Sequence, residues 1–165
     1  MNNTETRPSI GAARAGIALL ALGTAGIHLY LFLIEGFLGS GTMLPIYQLL
    51  FVGNVLAYLT LAAALVWYIS PLARFRSFIR TLLIAIAVAS IASYFYVGVL
   101  DAVGHIDKAI EVLLIVMVTV DAATSGSEED LAGRYGSGAL GAAVQLAIGI
   151  VLGMVMFLSL TPLLV

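Results

Sequence analysis

The chain has 165 residues, of which 62% are hydrophobic and 10% charged, with a net charge of −2; soluble domains run nearer 45–50% and about 25%, so this chain has too little polar surface to coat a fold in water. Its length suits about one domain, residues 1–165, with nothing left for a separate soluble catalytic domain. Seven scattered Lys and Arg give no basic face for nucleic acid, and the lack of cysteine excludes disulfides, thiol redox pairs and cysteine-held clusters.

Residues 1–14 form a polar tail with Arg7 and Arg14, and Ala15 to Ile34 follows as an apolar run of the ~20 residues that a bilayer core requires. The run outlasts the ~7–15 apolar residues of a signal peptide and no small-residue cleavage site closes it, so a retained helix is expected. Gly36, Gly39, Gly41 and Pro45 mark a turn, and a second span covers Tyr47 to Tyr68, ending on Trp67 and Tyr68 at headgroup depth. After Pro71, Arg74, Arg76 and Arg80 crowd a loop and its margin, and a third span runs from Ser77 to Leu100. The fourth apolar stretch, Ala109 to Val120, is short for a span and contains Glu111. Residues 124–138, with Glu128, Glu129 and Asp130, form an acidic, solvated loop, and Ala139 to Leu160 makes the last span, where Gly149 and Gly153 are spaced for close helix approach.

An all-α integral membrane bundle of five transmembrane helices, or four if the short stretch does not cross, is the fold these runs predict. A cytoplasmic N-terminus and an outer C-terminus place Arg7, Arg14, Arg74, Arg76, Arg80 and Arg134 inside and only Lys108 outside, as the positive-inside rule asks. The bilayer is thus the first partner, in a plasma-type cell membrane, with a homo-oligomer or a second membrane protein as further partners.

Polar residues inside the spans are the candidates for a site, because a charge at mid-membrane costs about 2.5–3.5 kcal/mol on insertion scales and is kept only with a partner. Thr24, His28 and Glu35 share one face of the first helix; Tyr47, Asn54 and Tyr58 repeat the spacing in the second; Ser90, Tyr94 and Asp101 do so in the third. Lys108 and Glu111 are three apart and able to pair. At 1.5 Å per residue, His28, Asn54 and Glu111 lie about 12, 13 and 9 Å from the outer boundary, which is level enough for them to meet. The candidate cluster is His28, Glu35, Asn54, Tyr58, Tyr94, Lys108 and Glu111. Each also has a plain reading: the hydroxyls and the amide as interhelical bonds, Lys108 and Glu111 as an interface pair, and His28 as a hydrogen-bonded core histidine. Tyr30, Phe32, Phe37, Phe95 and Tyr96 suit the aromatic belt or packing.

Gly26-Ile27-His28-Leu29-Tyr30, together with the run from Asp107 to Ile115, resembles small multi-pass membrane proteins of prokaryotes, haloarchaeal ones included, that form families of unknown function. The resemblance implies that His28, Lys108 and Glu111 belong to one shared pattern and brings no activity with it. Three functions fit the residues: a small transport- or proton-linked accessory protein, a structural or partner-binding membrane subunit, and a haem or quinone protein using His28 with His105. An enzyme fits least, since no substrate pocket is marked, and no spacing asks for a metal or a cofactor.

Overall fold

The computed structural model describes residues 11–38, 44–67, 70–98, 100–125 and 135–164, with the backbone alone at residues 35–37 and 70–71. The tail up to residue 10, Gly39, Gly41, Tyr68, the Glu128–Asp130 run and Arg134 lie outside the described residues, as do the side chains of Glu35 and Phe37.

Among the described residues, five long helices and one short one follow in order: α1 (Ala12–Tyr30), α2 (Pro45–Val66), α3 (Ser70–Ala73), α4 (Arg76–Val97), α5 (Ala102–Thr124) and α6 (Gly138–Leu160), and α1 runs on into a π-helical segment, Leu31–Phe37. Among the described residues there is no strand, and the protein is an all-α bundle. Four of the helical stretches are long and apolar enough to cross a membrane: Ala12–Ile34, Pro45–Val66, Arg76–Val97 and Gly138–Leu163.

The helix ends follow local chemistry. Pro45, expected to belong to the turn, opens α2, where its missing N–H would have had no partner anyway. Gly98 ends α4 in the left-handed conformation, φ 76°, which a residue with a Cβ adopts at a cost. Asp101 caps α5, its Oδ1 accepting from Gly104 N at 2.6 Å. That cap corrects the reading of the fourth stretch. Helix α5 starts seven residues before Ala109 and has 23 residues, or about 35 Å of rise, which exceeds the ~30 Å bilayer core. Its four charged residues, Asp107, Lys108, Glu111 and Asp121, are all buried, while Val112, Leu113, Val116 and Val120 face outward. Between its ends the helix therefore turns apolar residues outward and its charges toward its neighbours, while His105 and Thr124 are exposed in its terminal turns.

Helices α1, α2, α4, α6 and α5 contact one another in that cyclic order, and α4 also packs directly on α5. Ile17, Ala21, Leu65, Leu83, Leu114 and Val118 fill the centre. Small residues set the α4–α6 spacing: a Cβ on Gly149 would run into Ile84, and one on Gly153 into the Ala85 carbonyl and Val88. The Gly149/Gly153 face thus packs within the chain. Tyr30, Phe95 and Tyr96 are exposed near one end of the bundle and Trp67 near the other, as an aromatic belt requires.

Candidate functional site

Polar side chains from four helices converge in the half of the bundle nearest the α5 N-terminus. Thr24 and His28 lie one turn apart on α1, Asn54 and Tyr58 one turn apart on α2, Ser90 on α4, and Asp107, Lys108 and Glu111 on one side of α5. Thr24, Tyr58 and Glu111 have no exposed surface, and His28 and Asp107 have 2%.

The bonds are short and specific. Thr24 Oγ1 donates to Asp107 Oδ1 at 2.6 Å, with Glu111 Oε1 at 3.5 Å. Tyr58 OH donates to Glu111 Oε1 at 2.8 Å. Lys108 Nζ donates to Ser90 Oγ at 2.6 Å and Glu111 Oε2 at 2.7 Å, and lies 2.8 Å from Asp107 Oδ2. These three acceptors match the three hydrogens of an ammonium, so Lys108 has no donor to spare.

His28 fixes its own tautomer. Its Nδ1 is 2.9 Å from the Thr24 carbonyl oxygen, which can only accept, so Nδ1 carries a hydrogen. Nε2 faces the Asn54 amide nitrogen at 3.1 Å, an arrangement in which Nε2 accepts and the imidazole is neutral. Turning the Asn54 amide over would present Oδ1 instead, an acceptor for an Nε2–H. One pair of side chains can therefore serve both imidazole and imidazolium.

Charge gives the cluster its character. Asp107 and Glu111 bring two negative charges, Lys108 brings one positive, and the neutral His28 brings none, so the set carries one net negative charge while both acids are ionised. A buried charge without a counter-charge is costly, so the set favours one further proton or cation.

His28, Asp107 and Glu111 each bring a metal-ligating atom within 4.8 Å of the others. The Thr24 hydroxyl fills the space among them, 2.6 Å from Asp107 Oδ1 and 3.3 Å from His28 Nδ1, and that nitrogen already holds a hydrogen. The donor set as it stands does not fit a metal ion. Nor does His28 offer iron a free nitrogen, because both of its ring nitrogens are engaged. His105 lies in the first turn of α5, where its Nδ1 donates to the Asp101 carbonyl at 2.5 Å.

Of the residues expected in the cluster, His28, Asn54, Tyr58, Lys108 and Glu111 meet. Tyr94 stands at its edge, its ring centre 5.8 Å from Lys108 Nζ and its hydroxyl donating to the Asp101 carbonyl at 3.1 Å. Asp107 is the member that sequence reasoning missed. Its signal was the spacing of four to Glu111, one residue before the Lys108 that was already paired with Glu111. Lys108, counted above as an outer loop charge, lies inside α5 and is buried.

Beside Lys108 lies a cavity of about 240 Å³. Ser90 and Lys108 separate it from the carboxylates, Tyr47, Phe51 and Tyr94 supply aromatic walls, and Ser93 and Asp101 also line it.

A second buried charged group sits at the other end of the bundle. Arg80, 1% exposed, donates through Nε to Asp121 Oδ2 at 2.8 Å, through Nη1 to the Gly136 carbonyl at 3.1 Å and through Nη2 to Ser125 Oγ at 2.7 Å. Arg14 Nε reaches Asp121 Oδ1 at 3.3 Å. Gln145 donates to the Gly136 carbonyl at 2.9 Å, and its own Oε1 is buried without a protein partner. Helices α1, α4 and α5 are joined there by one carboxylate and two guanidinium groups, and Arg80 meets Gln145 of α6 on the Gly136 carbonyl.

No protein-family model, curated protein or solved structure matches the chain.

Proposed function

We propose that this chain is a proton-linked membrane protein of small-transporter type, and that the buried cluster of His28, Asp107, Lys108 and Glu111 is its exchangeable proton site. One observation carries this reading: four helices bury two acids against one ammonium and one imidazole, so that a single further proton balances the set. The ionisable groups facing that charge are His28 from α1, Tyr58 from α2 and Asp107 with Lys108 from α5, while α4 contributes the hydroxyl of Ser90. In this reading Glu111 and His28 hold the proton, Lys108 keeps a second acid ionised, and Asn54 turns over as His28 changes state. The positive-inside rule adds the orientation, with the Arg14 and Arg80 end in the cytoplasm, the cluster in the outer leaflet, and a cell membrane as the residence.

The test is infrared difference spectroscopy of the purified protein across the accessible pH range. A carboxyl or imidazole signal for one proton is expected, and it should move or vanish in Glu111→Gln and His28→Ala. A spectrum without such a signal, from protein that remains folded, ends the proposal.

A second reading, a structural subunit that binds a membrane partner, has its own supporting observation: each member of the cluster is already hydrogen-bonded to another, as an interhelical staple would be. It expects no pH-linked signal and co-purification with a partner at fixed stoichiometry.

A further inference from the structure

We propose that the cavity beside Lys108 binds a small lipophilic organic cation, roughly one aromatic ring with an ammonium head, in exchange for the proton of the cluster. The inference rests on the proton-linked reading above and names the ligand class of that same site.

Size sets the first limit. About 240 Å³ is below the ~300–1,000 Å³ of drug-sized pockets, so it suits a single ring with a short substituent and excludes haem or a whole lipid. The walls set the second, since Tyr47, Phe51 and Tyr94 present three aromatic side chains. Aromatic faces attract cations; the Tyr94 ring is already met by the Lys108 ammonium, 5.8 Å from its centre, which leaves Tyr47 and Phe51 for a ligand.

Charge decides among ligand classes. An anion would need donors, yet the hydrogens of Lys108 are all engaged by Ser90, Glu111 and Asp107. The positive N-terminal end of α5 points toward the same cavity, but the Asp101 carboxylate caps it and offsets it. Lys108 brings its own positive charge to the wall, but two carboxylates stand directly behind it and the Asp101 carboxylate more than offsets the helix end, so the charge around the cavity sums to negative in a low-dielectric interior that screens it poorly. A cation is favoured there while the cluster lacks its extra proton, and the preference disappears once that proton is bound. Proton and cation therefore weaken each other's binding by the same factor.

The experiment uses the full chain in lipid nanodiscs and three probes of similar size by titration calorimetry: benzyltrimethylammonium, its uncharged carbon isostere neopentylbenzene, and phenylacetate. At high pH the cation should bind about tenfold more tightly than the isostere, phenylacetate should be weakest, and the cation's affinity should fall as pH is lowered. Glu111→Gln should bring the cation down to the level of the isostere and remove its pH dependence. Ser93→Phe, which fills the cavity, should remove cation binding, and Val97→Trp does the same from the exposed rim if the first variant does not fold. Equal affinity for cation and isostere, tighter binding of phenylacetate, or no binding of the cation overturns the inference. Infrared spectra of the same samples separate the two proposals. A proton signal without cation binding leaves the proton-linked reading standing and removes this one, whereas loss of the proton signal removes both.

Discussion

The two buried charged groups found among the described residues are built from similar parts and differ in the sign of their charge imbalance. At the arginine end, two guanidinium groups share the single carboxylate of Asp121, and the Gly136 carbonyl and Ser125 complete the shell of Arg80. Guanidinium stays charged at any pH a cell meets, so nothing on that side of the pairing can take up or release a proton. In the other half, two carboxylates share one lysine beside a histidine, and the whole abuts a cavity. The first arrangement has an excess of fixed positive charge, which the surroundings of the part-exposed Arg14 can compensate. The second has an excess of negative charge within the core, where only a proton or a cation can. Burial and short bonds are common to both; the sign of the imbalance, the kind of group carrying it and the adjoining space separate a clamp from a site.

The largest expected effect breaks the clamp. Asp121→Asn leaves Arg80 buried with no anion, and removal of one partner from a buried pair costs about 3–5 kcal/mol. Thermal unfolding in detergent should show a large drop in midpoint; a midpoint equal to that of the parent protein would show that Arg80 does not depend on Asp121. Next comes Asn54→Leu, which takes the hydrogen-bond donor from His28 Nε2 and should cost about 1–3 kcal/mol as a buried polar atom loses its partner. A neutral outcome there would mean that the imidazole finds another donor and that Asn54 is not coupled to its state.

Glu111→Gln sharpens the contrast, since it is the same acid-to-amide exchange as Asp121→Asn and should behave oppositely. Removing this charge leaves Asp107 paired with Lys108 and the cluster neutral. The new amide oxygen can accept from Lys108 and the amide nitrogen can donate to the Tyr58 hydroxyl. A stability change within about 1 kcal/mol of zero is expected, in the range of ordinary interhelical polar contacts. A loss as large as that of Asp121→Asn would make Glu111 a structural anchor.

The sequence carried the stripes of this site better than its edges. His28, Asn54, Tyr58, Lys108 and Glu111 were legible because helical periodicity puts polar residues on one face and because lipid forbids leaving them unpaired. Asp107 escaped because apolar character was used to place the start of the helix. A helix that hides its charges against neighbours can begin well before its apolar run does, and the Asp101 cap was the signal to weigh. Arg80 and Asp121 escaped for the same reason at the other end: one was grouped with loop arginines and the other passed over at a helix tail, and their pairing across 41 positions leaves no trace in local spacing. Gly149 and Gly153 were legible as a close-approach face, but whether the approaching helix belongs to the same chain is a matter of tertiary arrangement, and here it is α4.

The smallest expected effect is also the most discriminating. Tyr58→Phe deletes one hydroxyl, the donor 2.8 Å from Glu111 Oε1, and leaves a ring of nearly the same shape in the same place. Interhelical bonds of this kind average about 0.6 kcal/mol in membrane proteins, so unfolding should barely register the change. A staple made of many such bonds would lose that small amount and nothing else. In a proton site, by contrast, the carboxyl whose oxygen has lost its donor reports the loss in its own vibration. The infrared titration of Tyr58→Phe should therefore differ from that of the parent protein at almost unchanged stability. Superimposable titrations would remove Tyr58 from the proton site and leave it as packing between α2 and α5.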